Sequence, residues 1–173
     1  MNRESLAGAP TMPDLPSGSF AGRERFRDAV RQALQAAAVR GWRELVLSDA
    51  SFADWPLGER QVTESLQAWV LGPGQRLTML ARQYDDVVRQ HARFVTWRRQ
   101  WSHKIECRVC PWADPLDIPS ALWAPEWSLQ RLDVLRHTGV YGSEPEQRVL
   151  LRQRINEWLG RSSTGFAATT LGL

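Results

Sequence analysis

Residues 91–104, HARFVTWRRQWSHK, interleave basic side chains with two tryptophans and hold two of the three histidines and the single lysine of the chain. One chemistry such a stretch supports is contact with nucleic acid. Arg93, Arg98, Arg99 and Lys104 would meet phosphates while Trp97 or Trp101 offers a face for a base, the combination that single-strand binders use. The competing reading makes the tryptophans core and rim of a packed helix end. The nine tryptophans are scattered along the chain rather than gathered at one place, which favours packing. Cys107-Arg108-Val109-Cys110 has the CxxC spacing of redox and zinc sites, with His103 four residues earlier. No second ligand pair accompanies it, and on a strand residues three apart face opposite ways, so buried free thiols are expected and no metal or cofactor. Asp49, Asp85 and Asp133 are the carboxylates a hydrolase would need for acid and base roles, and Arg82 is placed to face the crevice that holds Asp49.

The elements that must position these groups alternate. GRERFRDAVRQALQAAAVRG sets Phe26, Val30, Leu34 and Ala37 at helical spacing and ends at Gly41, a residue suited to a left-handed cap. ELVLSD follows as a strand, and residues 58–71 as a second helix with Val62, Leu66, Trp69 and Val70 on one stripe, stopped by Gly72-Pro73-Gly74. RLTMLA (76–81) is a second strand, YDDVVRQHARFV a third helix and KIECRVC (104–110) a third strand. On that helix His91 falls in the apolar stripe, where a hydrogen-bonded core histidine is expected. Arg98 would land on the same face, so the helix must end, bend or supply an acidic partner near residue 97.

After a Pro-rich loop, SALWA and SLQRLD read as two short extended pieces. Ser143 and Glu146 have capping-box spacing with Pro145 in the first turn, opening a last helix whose buried stripe is Leu151, Ile155, Trp158 and Leu159. This order predicts an α/β layer fold: a mixed, mostly parallel sheet of about five strands flanked by helices, its first three strands parallel. Residues 1–19 read as a flexible leader rich in Pro, Gly and Ser, 20–161 as a single domain, and 162–173 as a tail.

At 173 residues and 43% hydrophobic, the chain suits one domain with one proper core. A net charge of +3 permits weak attraction to phosphates without demanding it. No run of about 18 apolar residues exists to span a membrane, and the first residues lack the hydrophobic region of a secretory signal, so a cytoplasmic protein is expected.

The order of elements from about residue 23 to 161, with RLTMLA, the Gly142-Ser143 turn of GVYGSEP and RINEWLGRS in the closing helix, resembles one half of the phospholipase D superfamily fold. The signature of that family is His-x-Lys followed four residues later by Asp, in which the His attacks phosphorus. Here Arg93 follows His91 at the Lys position, Ile105 follows His103 and Gly139 follows His137. Counting back from Gly142-Ser143, the signature would begin near Glu126 or Trp127, in EWSLQRLD, where Asp133 stands near the acid and no nucleophile is present. The resemblance therefore implies a noncatalytic binding or regulatory module, with a phosphate-bearing molecule or a protein as ligand, and a homodimer by analogy with the paired halves of the family. A carboxylate hydrolase and an Arg/Trp nucleic-acid binder are the alternatives.

Overall fold

The structure, a computed structural model, describes residues 14–167. It opens with a strand, β1 (Gly18–Ala21), followed by α1 (Arg23–Arg40), β2 (Glu44–Ser48), α2 (Arg60–Val70) and β3 (Arg76–Ala81). Two short helices, α3 (Asp85–Gln90) and α4 (Ala92–Gln100), lead through a 3-10 turn (Ser102–Lys104) to β4 (Ile105–Val109). Then come β5 (Ser120–Trp123), β6 (Ser128–Asp133), β7 (Thr138–Gly142), α5 (Pro145–Arg161) and the two-residue β8 (Ser163–Thr164).

All eight strands form one sheet in the order β1-β7-β6-β5-β2-β3-β4-β8. β2, β3 and β4 run parallel, as the helical crossovers between them require. The other five pairings are antiparallel. The expectation of a mostly parallel, five-stranded sheet is thus corrected. The helical crossovers impose parallel pairing only on the middle strands, whereas the short loops after β5 and β6 permit only hairpins, and β1, β7 and β8 are too short or too Gly-rich to show a two-residue period.

One face of the sheet carries α1 to α4. Phe26, Val30 and Leu34 of α1 and Val62 and Leu66 of α2 pack there against Leu45, Leu47, Leu77, Met79, Leu122 and Leu129. The other face carries α5 alone, whose Leu151 and Ile155 meet Val46, Leu80 and Ala121 with Trp158 and Leu159 partly buried beside them. The apolar spacing of α1, α2 and α5 therefore places its residues as read. Gly41 ends α1 in the left-handed conformation (φ 64°), where a side chain would be strained.

Four local readings change. The third helix is interrupted at His91, whose backbone (φ −123°, ψ 53°) leaves the helical region, so α3 and α4 are separate. No side-chain hydrogen bond caps α5: Glu144 is the cap residue, Pro145 the first helical one, and the capping box of Ser143 and Glu146 is not formed. β1 begins inside the segment read as leader, with Phe20 buried against α1 and Tyr141, while residues 1–13 lie outside the described residues. At the other end, 163–164 pair with β4, so part of the segment read as tail belongs to the sheet, and residues 168–173 lie outside the described residues.

Candidate anion-binding site

Two of the charge clusters built by this fold enclose a buried arginine, and they differ in whether that charge is matched by a carboxylate. The first stands beyond the carboxyl end of β2, where a strand end opens between loops. Arg131 on β6 points to the same face as Leu129, into the apolar layer over α1, and its side chain is fully buried. Such a charge is tolerated only when paired. Nη2 donates to Asp49 Oδ1 at 2.8 Å, Nη1 to Asp54 Oδ2 and His137 Nδ1 at 3.2 and 3.1 Å, and Nε to Ser120 Oγ at 2.8 Å. The guanidinium lies over the Phe26 ring at 4.2 Å. Asp49 uses its other oxygen to accept from the backbone N–H groups of Ser51 and Phe52. These bonds tie β2, β5, β6 and the β6–β7 hairpin together.

The second cluster lies at the end of α4, against β4 and the chain after β8. A cavity of about 410 Å³ is lined by Arg76, Arg98, Ser102, His103, Cys107 and Phe166, among others. Arg98 projects from the inner side of the last turn of α4 and is only 5% exposed, yet it has no carboxylate partner, and its Nε has no hydrogen-bond acceptor among the described residues. Its guanidinium sits over the Phe166 ring at 4.2 Å, and Phe166 stacks on Tyr84 at 4.8 Å. Phe166 holds a left-handed backbone (φ 50°), which for a bulky residue is costly and persists only because both neighbours fix the ring. Burial pushes the Cys107 thiol above its usual range, while Arg98, through its charge and a hydrogen bond to the sulfur, draws it down. Burial likewise pushes the Tyr84 phenol well up, and its hydroxyl donates to the Arg108 carbonyl. Arg76 and His103 are exposed, and the one acid lining the cavity among the described residues, Glu106, pairs with Arg108 at 3.6 Å.

The structure distributes the residues singled out from the sequence. Arg98 and Arg99 stand at the end of α4, Arg98 turned inward and Arg99 exposed. Arg93 lies apart, exposed over the α2 side, with Nη1 donating to the Gly58 carbonyl. Lys104 is occupied in capping α2, its Nζ donating to the carbonyls of Val70 and Gly72. Arg82 does not meet Asp49, because its Nε reaches instead to the Ala113 carbonyl. The tryptophans are corrected as a stacking platform: Trp97 is buried, Trp101 half-buried, and both indole N–H groups donate to Gln67 Oε1. His91 is buried, its Nε2 donating to the Phe52 carbonyl at 2.8 Å, and burial holds its imidazole below the usual range.

The hydrolase carboxylates are not brought together. Asp49 is bound to Arg131, Asp85 is exposed at the start of α3, and Asp133 caps a turn through the Arg136 N–H. Cys107 and Cys110 are free and buried on opposite sides of the sheet, Cys107 in the core under α1 to α4 and Cys110 in the core under α5. Positions 126 and 127 hold structural groups: Glu126 accepts from Trp42 and pairs with Arg40, and the buried Trp127 donates to the Pro16 carbonyl.

Sequence reading missed three participants. Arg131 had a legible signal, since it alternates with Leu129 on a half-buried strand and thus points inward. Arg76, exposed at the first residue of β3, and Ser102 carry no local signal, because only the parallel pairing of β3 with β4 brings them beside residue 98.

No family model matches the sequence, and no curated protein matches it. Among solved structures, the fold is similar to that of TrmBL2, described as an archaeal chromatin protein with a novel mode of DNA binding. The TM-score is 0.63 at 14% identity, over 90% of this chain and 56% of that one. At that identity the likeness is one of fold, and this chain spans just over half the length of the protein it matches. No helix among the described residues is long and apolar enough to cross a membrane.

Proposed function

We propose that this chain is a noncatalytic module of phospholipase D-like architecture that binds nucleic acid through the basic cleft at the end of α4. The observation that carries the reading is the cleft itself: Arg76, Arg98 and His103 line one cavity, and Arg98 is buried with no carboxylate partner among the described residues. A buried guanidinium with no carboxylate costs several kcal/mol in a closed protein, which an anionic ligand would offset. Arg99 on the adjoining helix end and the net charge of +3 extend the same sign outward. The fold shared with a DNA-binding chromatin protein is consistent with this choice among anions. The absence of a histidine at positions 126–133, and the separation of Asp49, Asp85 and Asp133, argue for binding without chemistry.

The test is fluorescence anisotropy of labelled single-stranded and duplex oligonucleotides. Binding is expected at about 50 mM salt and weakening toward about 200 mM, as counterion release requires. The double variant R76A/R99A, both positions exposed, is expected to bind about tenfold more weakly. No binding at low salt by either nucleic acid would overturn the proposal.

A further inference from the structure

The recessed position of Arg98 in the cleft distinguishes one part of a nucleic acid from the rest. We propose, resting on the reading above, that Arg98 receives a terminal phosphate monoester of a strand rather than an internal phosphodiester or a base. Three features carry this. Arg98 is recessed in the cavity at 5% exposure, while Arg76 and His103, which line the same cavity, are exposed. An internal diester is tethered on two sides and needs an open groove to pass, whereas a strand end enters on one tether. The donor set also suits the greater charge of a monoester, roughly −1.5 to −2 against −1 for a diester. Arg98 offers a planar guanidinium fork with no carboxylate on it among the described residues, and Ser102, Thr164 and Arg76 line the same cavity. Finally, no aromatic face is free to hold a base. Phe166 is sandwiched between Arg98 on one side and Tyr84 on the other, so the ring that would stack a nucleobase is already used to aim the guanidinium.

The measurement is a comparison of short single-stranded oligonucleotides identical in sequence and bearing 5′-phosphate, 3′-phosphate or hydroxyl ends. One of the two phosphorylated ends is expected to bind at least about tenfold more tightly than the hydroxyl ends, the worth of one charged, well-aligned contact. R98K keeps the charge and loses the fork, and is expected to abolish that preference while residual, salt-dependent binding to hydroxyl-ended strands survives. If R98K does not fold, as judged by near-ultraviolet circular dichroism, S102A/T164V at the cleft wall provides the second variant, with a smaller loss of the same preference expected. Equal affinity for phosphorylated and hydroxyl ends would overturn this inference and leave nucleic-acid binding standing. Absence of binding to every strand would instead overturn the function from which it starts. Displacement of the phosphorylated strand by adenosine 5′-monophosphate at equal concentration would assign the cavity to free phosphate monoesters, and so overturn the strand-end assignment.

Discussion

Two buried arginines with opposite circumstances organise the charge of this protein. Arg131 is matched by Asp49, Asp54, Ser120 and His137, and its removal strands a buried carboxylate. R131M is expected to destabilise the fold by about 3–5 kcal/mol, measured by urea unfolding. Adding D49N should recover part of that loss, because an amide oxygen can still accept from Ser51 and Phe52 while carrying no charge; no recovery would show that the pair is not coupled. Arg98 has no such partner, so its substitution is expected to disturb binding more than folding. His91 supplies a pH signature. Burial keeps it neutral in the fold, so as pH falls below about 6.5 the unfolded chain takes up the proton first and stability is lost. Its contribution is complete above that pH. In H91Q, whose amide can still donate to Phe52, the fall in urea midpoint from about pH 7.5 to about pH 5.5 should be smaller than in wild type. An identical fall would assign the dependence to other groups. His91 as a buried, bonded histidine was legible from helical spacing. The lack of a carboxylate beside Arg98 was not, because a missing partner is a property of surroundings that no local pattern records.

At the scale of elements, periodicity served where an element buries one face and failed where it buries two or is very short. α1 and α2 are amphipathic and their stripes are where spacing placed them. α3 and α4 read as one helix because Val87, His91 and Phe94 keep the helical interval across the break, while the backbone at His91 turns away to place its ring against Phe52. That break aims α4 so that its last turn presents Arg98 to the cleft. β7 was invisible partly because of Gly139, whose glycine is a packing requirement: a Cβ there would collide with the Gln130 carbonyl oxygen and stand 2.8 Å from both Arg131 Cα and Phe20 Cζ. Since two of these obstacles are backbone, G139A is expected to cost about 2 kcal/mol or more, read from chemical denaturation. A cost below about half a kcal/mol, the range of neutral surface changes, would mean that β7 can shift away from β6 freely.

At the scale of the molecule, the net charge is modest and its distribution decides the outcome. If Arg76, Arg98 and Arg99 are the cations that meet phosphate, log K against log salt should have a slope of about −2 on single strands, at about 0.7 per contact. A slope near zero would remove the electrostatic basis for binding. The sequence by itself determined an α/β domain with three parallel strands joined by helices, the buried stripes of α1, α2 and α5, and the lack of any His-x-Lys pair. These follow from local chemistry: side-chain spacing, glycine stops and the identity of single residues. Only the tertiary structure decided that the sheet has eight mostly antiparallel strands, that Trp97 and Trp101 spend their indoles on Gln67, and that Arg76 and Phe166 close around Arg98. Those contacts join residues more than twenty positions apart in the chain, so they exist only once strand order and register are fixed.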